Sequence, residues 1–154
     1  MEFSFQQIET LLPPACSWAE KQEAFILQNG IPLDEKQLED AQRIGVYFPE
    51  RVRLLKVETI PQPEDPMLRA AVDFLGFLST STIGLSLRYG IFIRQEHWGK
   101  RSLVVHELTH TRQFERMGGF DPFLRQYLSE CMNEGYFLSP MEQEARQMEQ
   151  EICG

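Results

Sequence analysis

Residues 100–119 carry the sequence KRSLVVHELTHTRQFERMGG, and the interpretation of the whole chain starts from this stretch. The pattern predicts a helix from about residue 100 to residue 117, and the pair Gly118-Gly119 supplies a stop signal. The apolar run 103–105 gives this helix a buried side. Burying a charged or metal-binding side chain without a partner costs free energy, so such side chains on a core helix indicate a binding partner or a function. The polar residues of this stretch are therefore candidate functional residues.

His106 and His110 are four residues apart, so a helix places both imidazoles on one face with Glu107 beside them. Two of the three histidines of the chain fall in this motif. Zinc accepts imidazole nitrogens, and a catalytic site adds a third protein ligand and keeps one position for water. Zn²⁺ lowers the pKa of such a water, and Glu107 is placed to accept its proton as a general base. The motif predicts a zinc-dependent hydrolytic site.

The flanking sequence predicts an α+β fold, mainly helical, with a small β-hairpin or sheet beside the metal helix. Capping and stop signals such as Asn29-Gly30, Asp121-Pro122 and Ser139-Pro140 delimit the other helices. The predicted helices cover residues 18–28, 34–44, 66–78, 121–133 and 139–152, and the predicted strands cover residues 51–60, 82–88 and 91–94, with a turn at Tyr89-Gly90. We expect one domain over 1–154, with a helical packing region at 1–60 and a metal-site region at 82–152.

Composition and charge narrow the classes of partner. A chain of 154 residues with 42% hydrophobic and 25% charged residues matches one ordinary globular domain. A formal charge of -8 disfavours nucleic acid and anionic membranes as partners. The most apolar stretch, residues 70–93, is interrupted by Asp73 and Arg88, so we expect no membrane span. Oligomeric state is left open.

The cysteines and the N-terminus bear on localisation. Cys16, Cys131 and Cys153 are widely spaced and form no Cys-x-x-Cys pair, which indicates neither a disulfide framework nor a sulfur-rich metal site. Residues 1–12 lack the basic start and apolar run of a secretory signal. The expected location is cytoplasmic.

The last predicted helix offers two candidates for the third metal ligand, Glu142 and Glu144. They are two residues apart, so they point about 200° away from each other on a helix. The apolar stripe of the helix is flanked by both, and periodicity does not choose between them. Glu142 has another explanation, because Ser139 and Glu142 match a capping box in which the glutamate reaches back to the Ser139 amide. Further candidates are Glu130, Glu134 and His97.

The motif 106–110, followed by Gln113 and by Pro-Met-Glu-Gln-Glu-Ala at 140–145, resembles the gluzincin branch of the zincin metallopeptidases. The resemblance covers roughly residues 82–149. It implies that a downstream Glu-x-x-Ala helix supplies the third ligand, which favours Glu142 and leaves Glu144 as a solvated or outer carboxylate. It also implies an edge strand that receives an extended peptide, and hydrolysis of a peptide bond. We expect residues 91–94 to be that edge.

Two positions depart from the gluzincin pattern. Arg146 stands where many relatives have Asp or Asn to orient a ligand imidazole, so this partner is missing or moved. Arg112 occupies a place that is often apolar in zincins.

Three further residues have both a functional and a structural interpretation. Gln113 lies on the metal-facing side of its helix, where it can bind a ligand or substrate carbonyl or simply be satisfied by the adjacent loop. Tyr136 and His97 are candidate donors to an oxyanion, although Tyr136 follows a helix stop and His97 can simply close a turn.

The sequence thus predicts a zinc metallopeptidase that acts on a peptide or protein substrate, with His106, His110 and Glu142 as ligands of Zn²⁺ and Glu107 as the base. A second hypothesis is a binding module on a zincin scaffold that holds a peptide or partner without cutting it. A third is an accidental motif in a purely structural or inhibitory protein.

Overall fold

The computed structural model describes residues 4–154, which form six α-helices and a four-stranded sheet. The helices are α1 (Phe5–Asn29), α2 (Glu35–Ile44), α3 (Pro66–Leu75), α4 (Arg101–Met117), α5 (Phe120–Glu134) and α6 (Pro140–Cys153), and the strands are β1 (Ile31–Pro32), β2 (Arg53–Val57), β3 (Gly84–Leu87) and β4 (Gly90–Arg94). The predicted α+β fold class is confirmed. Part of the N-terminus considered for a signal, residues 1–3, lies outside the described residues.

The sheet has the strand order β1-β2-β4-β3. β4 pairs in parallel with β2 and antiparallel with β3, and β1 pairs antiparallel with β2. The predicted edge role of residues 91–94 is therefore wrong, because β4 is paired on both sides. Its side chains Ile91, Phe92 and Ile93 are fully buried, as expected for a central strand with a continuous apolar run. The edge beside α4 is β3 instead.

The β3–β4 turn lies at Arg88-Tyr89, one residue earlier than predicted. Arg88 has a φ of 65°, in the left-handed region that side chains rarely adopt. Glu23 on α1 holds this conformation: it accepts two hydrogen bonds from the Arg88 guanidinium, at 2.8 and 2.6 Å, and one from the Tyr89 amide at 3.0 Å. The hairpin that carries β3 is thus fixed to α1.

The first helix is longer than its predicted core at 18–28, because α1 begins at Phe5 and runs through Pro13 and Pro14. Each proline removes a helical hydrogen bond and crowds the preceding turn, at a cost of about 3 kcal/mol or more. Burial of an apolar face outweighs that cost, and a capping box of Ser4 and Gln7 fixes the start. The buried face of α1 consists of Ile8, Leu11, Leu12, Ala15, Ala19, Glu23 and Ile26.

α4 lies between the two larger core clusters. Its N-terminal half contributes Leu103, Val105 and Leu108 to the cluster formed with α2 and the sheet. Phe114, two turns later, belongs to the cluster formed with α1, α3 and α5. α6 packs along α4, so the polar face of α4 is covered by a second helix. No helix within residues 4–154 is both long and apolar enough to cross a membrane.

Candidate metal centre

α4 and α6 bring three polar side chains together in the interior. His106 Nε2 lies 2.9 Å from Glu142 Oε1, and His110 Nε2 lies 3.1 Å from Glu142 Oε2. One ligand atom from each of the three residues lies within 4.8 Å of the other two. His110 and Glu142 are buried, and the His106 side chain is only 15% exposed. Two imidazole nitrogens and a carboxylate form a donor set that can hold a divalent metal ion.

The structure places Glu142, and not Glu144, against the histidines. The capping-box interpretation of Glu142 is wrong: Ser139 begins α6 without a side-chain cap, and its hydroxyl donates to the Tyr136 carbonyl. Glu142 Oε2 also accepts a hydrogen bond of 2.5 Å from the buried Tyr127 hydroxyl on α5. Each carboxylate oxygen of Glu142 therefore lies against one histidine of the centre.

Gln113 fixes the orientation of His110. Its Oε1 lies 2.7 Å from His110 Nδ1, and its Nε2 donates to the Met141 carbonyl at 3.1 Å and to Glu144 Oε1 at 3.0 Å. Because the amide nitrogen faces two acceptors, the amide oxygen is the atom that accepts from the Nδ1–H of His110. That hydrogen bond fixes the ring so that His110 Nε2 is turned toward Glu142. Glu144 thus contacts Gln113, and no hydrogen bond joins it to either histidine among the described residues.

His106 is held in the same way by Glu149, whose Oε2 lies 2.7 Å from His106 Nδ1. Glu149 was not among the residues predicted from the sequence. The available signal was its spacing, since it lies seven residues after Glu142 and hence on the same face of α6. The orienting carboxylate expected at position 146 is thus moved rather than lost. Arg146 donates to the Phe137 carbonyl and lies over the Phe137 ring instead.

Glu107 lies against the edge strand β3 and is buried. The Ser86 backbone acts to lower the pKa of the Glu107 carboxyl group, and a Cβ added at Gly84 would approach Glu107 Oε2 to 3.2 Å. A side chain at position 84 would therefore crowd this carboxylate. Burial raises the pKa of Glu107, although the nearby charges of His106 and His110 act in the opposite direction.

The centre is electrostatically coupled. Burial acts to lower the pKa of His106, but its hydrogen bond to Glu142 and the charges of Glu107 and Glu142 outweigh burial and raise that pKa to about 9. The pKa of His110 is raised as well, since the charge of Glu142 overcomes burial. Burial would raise the pKa of Glu142, yet the two histidines hold it well below its usual range. Such a cluster favours positive charge beside Glu142, as a cation site requires.

The other candidates lie apart from the three-residue group. Glu130 Oε1 accepts from the Met141 amide at 2.9 Å, so it binds the N-terminal turn of α6. Glu134 is exposed at the end of α5. His97 lies in a short 3-10 turn, where its carbonyl accepts from Lys100, a structural role. Arg112 donates to the Ile44 carbonyl and ties α4 to the end of α2.

Two spaces adjoin the centre and share part of their walls. An internal cavity of about 90 Å³ extends from the histidines between α1, α3 and α5. A more open groove of about 470 Å³ crosses the ends of β3 and α4. His106, Glu107 and Tyr136 line both, so the structure brings Tyr136 to the junction while His97 stays outside. The groove and the cavity therefore lie side by side at the polar end of the cavity.

Comparison of the chain with protein-family models, with curated proteins and with solved structures found no match.

Proposed function

We propose that this protein is a zinc-dependent metallopeptidase, in which His106, His110 and Glu142 hold Zn²⁺ and Glu107 is the general base. The observation that carries the proposal is the convergence of both imidazole Nε2 atoms on one buried carboxylate, with both Nδ1 atoms engaged by Glu149 and Gln113. Orienting partners of this kind are typical of metal-binding histidines. A second buried carboxylate, Glu107, adjoins the same three residues.

The ion and the protein have separate roles in the proposed reaction. A bound zinc ion supplies Lewis acidity and lowers the pKa of a water molecule. Glu107, which adjoins the three ligands, accepts the proton of that water and passes it to the leaving amine. Tyr136, at the junction of cavity and groove, is the candidate donor to the developing oxyanion. His97 is not in reach of this role.

β3 is the proposed binding edge for the substrate backbone. The Arg94 amide donates to the Ile83 carbonyl, so the alternation of an antiparallel ladder turns Gly84 and Ser86 away from β4. Gly84 lines the groove and Ser86 does not, so Gly84 is the outward-facing backbone nearest the groove. An extended peptide that pairs there gains main-chain hydrogen bonds with little demand on its sequence.

Glu107→Gln tests the mechanism, because glutamine keeps the size of the side chain but cannot accept the proton. We expect hydrolysis of a peptide library to fall by about 10²–10⁴-fold with zinc content unchanged. Glu144→Gln is the matched control, since Glu144 contacts Gln113 rather than a histidine. Turnover by Glu107→Gln at the wild-type rate would contradict the role of Glu107. Bound zinc and bound peptide with no turnover in the wild type would support the non-cutting binding module instead.

A further inference from the structure

The internal cavity has one polar end and one apolar end. The charged residues that line it, His106, Glu107, His110 and Glu142, all belong to the candidate centre. Away from the centre the walls are apolar and come largely from α1, α3 and α5. α1 and α3 lie outside residues 82–149, the part of the sequence that carries the metal motif and its partner helix. The N-terminal half of the chain thus builds a compartment that opens onto the metal centre.

The cavity runs along about two turns of α1. Leu11 and Ala19 both line it and are eight residues apart on α1, which is about 12 Å along a helix. A volume of about 90 Å³ along a wall of that length indicates a narrow space rather than a wide one. Small side chains make the room, since Ala15, Ala19 and Ala71 form parts of the wall and are themselves buried. A straight chain fits this shape better than a ring or a branched side chain.

An apolar space of this kind favours an apolar occupant. Water needs several polar partners to occupy a cavity, and the walls away from the centre provide few. Close packing is the rule in protein interiors, so a void within the largest core cluster calls for an explanation. The wall that α1 provides, from Leu11 to Ala19, is also longer than any apolar side chain among the twenty amino acids. An acyl chain, which ends inside the cavity and has its carbonyl at the polar end, meets these conditions.

We propose that the substrate is an N-acylated peptide or amine whose straight aliphatic acyl chain fills this cavity. The inference rests on the proposed hydrolytic function and names its substrate class. In the reaction the hydroxyl of water bonds to the acyl carbonyl carbon and the carbon–nitrogen bond breaks. The nitrogen takes up a proton, so the products are a fatty acid and a free amine. The carbonyl lies at the metal end beside Glu107, and the amine part leaves along the groove.

Binding can be measured without turnover, because Trp18 lines the cavity and reports on its occupancy. The other of the two tryptophans, Trp98, lies under Lys56 in a different cluster, so Trp98→Phe leaves Trp18 as the only reporter. We expect straight-chain carboxylates from butyrate to decanoate to bind about fourfold more tightly per added methylene until the cavity is full, and then no further. Affinity that is independent of chain length would overturn the proposal. Tighter binding of phenylacetate or cyclohexanecarboxylate than of a straight chain with equal carbon number would do so too.

A pair of adjacent alanines on α3 provides matched variants. Ala71 lines the cavity, whereas Ala70 is exposed on the same helix. Ala71→Leu should move the affinity plateau to shorter carboxylates and weaken the binding of decanoate by at least tenfold. Ala70→Leu should leave the affinities of all the carboxylates unchanged. If Ala71→Leu does not fold, Leu11→Ala enlarges the cavity instead and should move the plateau to longer chains. An unchanged plateau in the folded variants would mean that the aliphatic chain of the ligand binds elsewhere, and would overturn the proposal.

Hydrolysis separates this inference from the proposed function. N-acyl peptides should be cut faster as the acyl chain lengthens, and Glu107→Gln should abolish cutting while the carboxylates still bind. Chain-length-dependent binding without hydrolysis of any peptide or acyl peptide would sustain the cavity assignment and overturn the peptidase. Cutting of unacylated peptides with no effect of an acyl chain would sustain the peptidase and overturn the cavity assignment.

Discussion

The two histidines of the centre present the same ring nitrogen to the same carboxylate, but they are held in different ways. The inner half of the centre consists of His110 and Gln113, both buried and both on α4. The outer half consists of His106 and Glu149, whose side chains are 15% and 27% exposed and lie on different helices. Local sequence spacing therefore fixes the inner half, and docking of α6 onto α4 fixes the outer half. The two halves should accordingly respond differently to mutation and to salt.

The largest expected effect is on the carboxylate that joins the two halves. Glu142→Ala removes the carboxylate that lies within hydrogen-bonding distance of both histidines, so zinc affinity should fall by orders of magnitude. Glu144→Ala should weaken zinc binding only modestly, because Glu144 contacts Gln113 and neither histidine directly. Competition with a chromophoric chelator measures both affinities. The reverse order would transfer the ligand role to Glu144, and no loss in either variant would mean that the third ligand lies elsewhere.

The next prediction tests the two halves against each other. Removing an orienting partner typically weakens metal binding by about 10–100-fold. We expect the loss of zinc affinity in Gln113→Ala to lie near the upper end of this range. The reason is that the buried His110 Nδ1–H and the Met141 carbonyl both lose the hydrogen bond to Gln113. Glu149→Ala should lie near the lower end, since water can reach His106 and replace the lost acceptor. Chelator competition gives both values.

Salt provides the control for this pair. The contribution of the charged, partly exposed Glu149 should shrink as ionic strength rises, whereas that of the neutral Gln113 should not. A larger loss in Glu149→Ala than in Gln113→Ala would show that the outer half is the more tightly organised one, which is the opposite of the expected order.

The smallest effect concerns the solvent-facing end of α4, where Arg101 binds Asp40 of α2 through two hydrogen bonds of 2.9 Å. The hydrogen bond from Arg101 lowers the pKa of Asp40, although burial opposes it. A lowered folded pKa contributes stability that is present above the unfolded pKa and is lost as the pH falls. Asp40→Asn should therefore flatten the acid side of the plot of unfolding free energy against pH. Denaturant unfolding at a series of acidic pH values measures this slope, and the exposed Asp73→Asn variant is the control. An unchanged acid slope in Asp40→Asn would contradict this role of Asp40.

Much of the helical part of the fold was predictable because its signals are local. Asp34 at the start of α2 and Gly118 at the end of α4 cap their helices as the sequence indicates. α1 was underestimated because burial of its apolar face, a tertiary effect, overrides the breaking effect of Pro13 and Pro14. The edge assignment of β4 failed because it depends on the parallel pairing with β2, from a distant part of the chain.

The candidate site shows the same division. The spacing of His106 and His110 follows from helix geometry, so α4 could be interpreted from sequence. For Glu149 the spacing from Glu142 indicates only the face of α6, and its partner His106 is set by the way α6 docks onto α4. The cavity was equally invisible, since it arises from the packing of α1, α3 and α5 around small side chains such as Ala71.

Metal content tests the central claim most directly. The protein, purified from zinc-containing medium and dialysed without chelator, should contain about one zinc ion per chain by elemental analysis. The His106→Ala variant, prepared in the same way, should contain almost none, because zinc centres of this kind need three protein ligands. A wild-type protein that retains no metal, or a His106→Ala variant that retains as much as the wild type, would contradict the assignment of this centre.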